Sequence, residues 1–320
     1  PDGQFNLIPF EALYDDQGHY IIERHTITYL TSGSDLLRMQ AVRASKSAPM
    51  VIADPFFGEP QATQMATLAQ SHPPSGPARD RRRSITTAKD LSQVYFAPLA
   101  GTAQEARAIH LLFPETEVFT GPQATVGRLK QTDAPRILHI ATHGFFLDDA
   151  GPSNLPDAKQ GAQEMNNTRG VHAGVKVENP LLRSGLALAG ANLSSSAQND
   201  GILTALEASS LDLWGTKLVT LSACDTGLGD VKNGEGVYGL RRAFFLAGSE
   251  TLMMSLWPVS DRATRDMMTA YYAGLKKGLG RGEALRQAQL AMLKRKGRQH
   301  PFYWASFIQS GEWANLDGQR

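Results

Sequence analysis

The sequence holds a single cysteine, Cys224, so no disulfide can form within the chain. That excludes a disulfide-stapled secreted scaffold and points to a reducing, cytoplasmic setting. No apolar run reaches the roughly 18 residues needed to span a bilayer, and the N-terminus shows no signal-peptide pattern, so no membrane partner is expected. Neither sign of charge dominates, since 32 Lys and Arg stand against 31 Asp and Glu for a net charge of +1. A general attraction to nucleic acid is therefore not expected of this chain, and partners must be sought in local features. No G-x-S-x-G precedes a helix, which removes the nucleophile elbow of an α/β-hydrolase. No internal repeat is visible, and neither a metal nor a cofactor is expected.

What is present is a chain of 320 residues, 42% of them hydrophobic, enough for one large α/β domain with a real core. It opens on Pro1-Asp2-Gly3 and lacks an initiator methionine. We read it as a single domain over 1–320, truncated at its N-terminus and dependent on an upstream segment. Short β-rich runs alternate with helical stretches, the pattern of a mostly parallel sheet covered on both faces. Strands are expected at His25–Leu30, Met50–Ala53, Val118–Thr120, Arg136–Ala141, Gly185–Leu188, Lys217–Ser222 and Thr251–Leu256. Several, such as ILHIA and LVTLSA, are continuous apolar runs without alternation, as in strands buried on both sides. Helices are expected at Ser34–Ala44, Gly101–Leu112, Gln123–Gln131, Thr204–Ser209, Gly236–Ala247, Asp261–Lys276 and Arg281–Lys296. Thr264, Met267, Met268, Tyr271, Tyr272 and Leu275 recur at helical spacing behind Ser260 as N-cap, and that stripe reads as core packing. Phe57–Lys89, with its cluster Arg79-Asp80-Arg81-Arg82-Arg83, and Asp148–Val177 read as flexible loops, the arginines as a solvated patch in preference to a phosphate-binding patch or a processing site.

Two places share one design. In ILHIATHGFF an apolar strand ends and Thr142-His143-Gly144 follows; in LVTLSACDTGLGD another ends and Ala223-Cys224-Asp225 follows. Open α/β sheets present their ligand crevice at the carboxyl ends of strands. If the two strands are neighbours, the imidazole of His143 and the thiol of Cys224 face one crevice. A lone cysteine is commonly a buried small hydrophobe, and a lone histidine a satisfied core residue. The matched strand-end contexts favour a working pair instead. A thiol near pKa 8.5 is mostly protonated at neutral pH, and an imidazole in reach takes that proton and later passes it to a leaving amine. The backbone N–H groups of Gly144 and Cys224 are candidates for an oxyanion hole. His139 shares a strand face with His143 but lies deeper and reads as structural.

Three further residues carry open readings. Asp225 either lines a pocket for a basic side chain or caps the turn through Thr226 and Gly227. Glu235 either fixes a loop over the site or caps the helix starting near Val237, the capping role being preferred. Trp257 is either a pocket wall or plain packing.

The series NLIPFEAL, ILHIATHGFF, NPLLRSGLALAGAN, GILTALE, LDLWGTKLVTLSACDTGLGD, GEGVYGLRRAFFLAGSETLMMSLWPVSD and HPFYWASFIQSGEW resembles the CHAT domain. That family is related to caspases and separases and is often fused to tetratricopeptide repeats. The resemblance covers nearly the whole chain apart from the two loops. It implies a caspase-like three-layer α/β/α fold with a mostly parallel central sheet. It also implies a Cys–His dyad of Cys224 and His143, and an oxyanion hole at Gly144 and Cys224. A protein substrate, cleaved under the control of an upstream repeat or sensor region, follows from the same likeness. The competing expectation is a non-catalytic interaction or scaffold module built on that fold.

Overall fold

Apolar side chains alternate between two cores along each central strand, which is why those strands read as unbroken hydrophobic runs. The computed structural model describes residues 5–6, 8–41, 43–59, 84–88, 94–147, 180–193, 201–222, 235–257 and 260–320. Its strands are β1 (Met50–Pro55), β2 (Ser84–Ala88), β3 (Glu117–Gly121), β4 (Ile137–Ala141), β5 (His143–Leu147), β6 (Ser184–Ala187), β7 (Ile202–Thr204), β8 (Leu218–Leu221), β9 (Thr251–Ser255) and β10 (Phe307–Gly311). Its helices are α1 (Asp35–Arg38), α2 (Ala100–Leu112), α3 (Val126–Lys130), α4 (Ala205–Ala208), α5 (Glu235–Leu246), α6 (Asp261–Lys276), α7 (Arg281–Leu293) and α8 (Pro301–Trp304).

The main sheet runs β3-β1-β4-β8-β9-β10. Its first five strands are parallel, and β10 is added antiparallel to β9. Leu138 and Ile140 of β4, with Ile52 of β1 and Val219 and Leu221 of β8, face a core shared with α3, α4 and α5. Ile137 and Ala141, with Val51, Ala53 and Leu218, face the other core under α2, α6 and α7. The expected three-layer α/β/α arrangement is present. The chain runs from β1 out to β3, then crosses back over β1 to β4, so the strand order reverses between β1 and β4. A crevice at the carboxyl ends of those strands is where such sheets place their sites.

Helix α6 has the bounds its periodicity predicts. All six residues of its Met/Tyr stripe are buried, and Ser260 Oγ accepts the Ala263 N–H at 3.3 Å. The cap satisfies one of the four N–H groups a helix start leaves open.

Four expectations need correction. Gly185–Leu188 does not join the central sheet; its residues form β6 of a second sheet, β2-β5-β6-β7, in which β2 runs parallel to β5 and the other pairings are antiparallel. His25–Leu30 is not a strand: Tyr29 alone bridges to Ser310 beside β10, while its hydroxyl turns away to the Ile8 carbonyl at 2.8 Å. Ser34–Ala44 keeps only one short helical turn, because Asp35 spends its carboxylate on the N–H groups of Thr31 and Ser32 and little of the segment is buried. The 57–89 stretch is anchored at both ends: Phe57 is buried with Phe96 and Phe145, and residues 84–88 form β2. Residues 60–83, which hold the arginine cluster, and 148–179 lie outside the described residues.

The N-terminal segment carries a titration that reaches into the neutral range. Burial pushes the Glu11 carboxyl up to about 7, against the opposing effect of hydrogen bonds, among them the Tyr29 hydroxyl at 3.2 Å from Oε2. A carboxyl whose folded pKa lies above its unfolded one stabilises the fold below the unfolded value of 4.5, and that contribution is lost as pH rises through about 7. Glu11→Gln is therefore expected to gain stability relative to the parent between pH 5 and pH 8, read as melting temperature across that range. A pH-independent difference between the two proteins would contradict the assignment.

Candidate active site

Strands β4 and β8 are neighbours. They pair in parallel from Ile137 opposite Leu218 to Ile140 opposite Leu221, and the Ser222 N–H extends the ladder to the Ile140 carbonyl at 2.9 Å. The condition set by the sequence, that the two motif-bearing strands lie side by side, is met. Neighbouring strands stand about 4.8 Å apart, so the chain leaves both at one edge of the sheet. Cys224 and Asp225 themselves lie outside the described residues.

His143 is placed by an abrupt change of sheet. β4 ends at Ala141; Thr142 is fully buried, its hydroxyl bonded to the Ala187 carbonyl, and His143 begins β5 opposite Ala187. The sequence places this imidazole at an open crevice. It is instead covered, 2% exposed, with its ring centroid 5.3 Å from that of Phe57 and 5.8 Å from that of Phe96. Its Nε2 stands 2.8 Å from the Ala97 carbonyl oxygen. A carbonyl only accepts, so Nε2 carries a hydrogen, and in the neutral ring Nδ1 is the nitrogen with a lone pair.

Gly144 is a strand residue held between Ser84 of β2 and Leu186 of β6. Trp257 is half-buried against both main cores, and its indole N–H donates to the Phe302 carbonyl at 3.0 Å, which is the packing role of its two readings. Glu235 is the first residue of α5, one position before the expected Gly236 start.

His139 is structural. It is fully buried, with Nε2 3.0 Å from Glu105 Oε1 and Nδ1 2.9 Å from the Tyr272 hydroxyl, which reaches Thr220 Oγ1 at 3.2 Å. This polar chain joins α2, β4, α6 and β8 inside the core. Burial keeps the Tyr272 phenol well above its ordinary pKa, so it stays a neutral donor.

Sequence reasoning missed the surroundings of His143. Phe57 falls in a stretch that reads as a loop, Phe96 in no expected element, and the Ala97 contact is made by a backbone oxygen, which no residue type announces. Asp54, the next-to-last residue of β1, is not announced by the sequence either; its positive φ of 48° puts a non-glycine in the left-handed region beside the topological switch. Its carboxyl is raised above the ordinary value by burial, and its N–H donates to Thr102 Oγ1 at 2.8 Å.

Among the described residues no helix is long and apolar enough to cross a membrane, and no group of three or more His, Cys, Asp or Glu is placed to hold a metal ion. The family model described as "CHAT domain" matches residues 1–312. Curated relatives include human tetratricopeptide repeat protein 28, 34% identical over 116 residues, which is 36% of this chain and 5% of that protein. The mouse protein of the same name matches with the same identity and coverage. The matched stretch thus spans about a twentieth of the length of either relative.

Proposed function

The chain belongs to the CHAT domain family, and on that premise we propose that it is a cysteine endopeptidase acting on protein substrates, with Cys224 as nucleophile and His143 as general base and acid. The observation that supports this reading is the parallel pairing of β4 with β8, the strands that precede the two motifs.

The chemistry follows from the tautomer. With Nε2–H engaged by the Ala97 carbonyl, Nδ1 takes the proton of the Cys224 thiol, and the thiolate attacks the carbonyl carbon of the scissile peptide. The electron pair driven onto oxygen is met by the N–H groups of Gly144 and Cys224. The imidazolium returns its proton to the leaving amine as the C–N bond breaks, and water hydrolyses the resulting thioester. Asp225 supplies a carboxylate suited to a basic side chain. An upstream repeat region is the proposed controlling partner, in keeping with relatives named for tetratricopeptide repeats.

A second reading, a non-catalytic scaffold module, draws on the cover of Phe57 and Phe96 over His143. Thiol reactivity decides between them. In His143→Ala, alkylation of Cys224 by iodoacetamide at pH 7 is expected to slow by about tenfold or more, because an ordinary thiol there is only a few per cent thiolate. Equal alkylation rates in parent and variant would show that the two groups do not interact.

A further inference from the structure

At the opposite end of the main sheet from His143 lies a cavity of about 590 Å³. Lys217 and Glu250, which immediately precede β8 and β9, line it together with Arg281 at the start of α7. Its apolar walls are Trp214, 45% exposed, and the buried Phe245. Arg43 stacks on the Trp214 ring at 4.1 Å, and Arg38 sits 5.9 Å from that ring and 6.0 Å from Phe245. Volumes of roughly 300–1,000 Å³ with apolar walls and a few fixed polar groups are those of small-molecule sites.

The charges do not cancel. Each acid in the lining is already engaged: Glu250 by Lys217 at 2.6 Å and Arg281 at 3.4 Å, Glu312 by Arg320 at 2.7 Å, Asp317 by Arg136 at 2.6 Å, and Asp35 by two backbone N–H groups. On the basic side, Arg43 makes no ion pair among the described residues. Arg281 is fully buried; its Nε and Nη1 reach the carbonyls of Ala314 and Lys217, but Nη2 has no hydrogen-bond partner among the described residues. A buried charged donor without an acceptor is costly, and an oxygen from a ligand would satisfy it.

We propose that this cavity binds a small molecule made of a flat apolar ring and one anionic oxygen group, the ring against Trp214 and the anion toward the guanidinium groups of Arg281 and Arg43. A carboxylate and a phosphate share that chemistry, and the charge assists the hydrogen bonds of either. The site is separate from the proposed dyad, so its test reads binding and not cleavage.

The experiment titrates the full chain with benzoate, phenyl phosphate and the neutral benzamide by ligand-observed NMR. The expected result is saturable binding of at least one anion, with benzamide at least ~10-fold weaker, and the tighter anion identifies the ligand class. Arg43→Gln and Trp214→Ala alter exposed side chains and leave the fold intact; each should weaken the anion at least ~10-fold. Absence of saturable binding by both anions, equal binding of benzamide, or unchanged affinity in the two variants would each overturn the proposal.

Discussion

Cys224→Ala is expected to lower turnover by at least ~10³-fold, because members of a nucleophile–base unit fail together when one is lost. The change removes one sulfur from a strand-end segment, so the cost in stability should be on the order of 1 kcal/mol. The two effects are read separately: cleavage of a peptide library by mass spectrometry for turnover, and urea unfolding for stability. Substantial residual cleavage by the purified variant would remove Cys224 from the mechanism. A large loss of stability would mean that the thiol is a core group and that lost activity reports lost fold.

His139→Leu should produce the reverse pattern. The substitution strips the imidazole from Glu105, an acidic side chain with no solvent exposure, and from the Tyr272 hydroxyl. Leaving a buried polar group without its partner costs about 1–3 kcal/mol, whereas replacing both partners with apolar groups of similar shape is far milder. The single variant should therefore lose that much in urea unfolding, and Glu105→Leu combined with His139→Leu should recover a good part of it. Turnover per folded molecule should stay within a few-fold of the parent, since His139 packs under α2 and α6, away from the strand ends. A stability loss below about 1 kcal/mol would show that the polar chain contributes little.

The contrast between the two histidines shows where the sequence was readable. β4 and β8 betray themselves as apolar runs because both faces are buried. The turn of chain after each is then a candidate site on topology alone. β5 was hidden because it follows β4 after the single residue Thr142. His143, Gly144 and Phe145 looked like the loop at a strand's end and are the start of another strand. β10 was hidden for a different reason: Gln309 and Ser310 are polar yet fully buried, Gln309 Nε2 donating to the Glu312 carbonyl at 3.1 Å, and no hydrophobic period marks them. The neighbours of His143 were unreadable because they come from Phe57, Phe96 and a backbone oxygen, brought together only by the second sheet.

The pairing of Cys224 with His143 is tested most directly by covalent capture. A peptidyl acyloxymethyl ketone offers an electrophile to an activated thiolate, and intact-mass analysis with peptide mapping shows where it lands. The account predicts one equivalent bound at Cys224 in the parent, with labelling at least ~10-fold slower in His143→Ala. Labelling of His143→Ala at the parental rate, or capture at any residue other than Cys224, would contradict it.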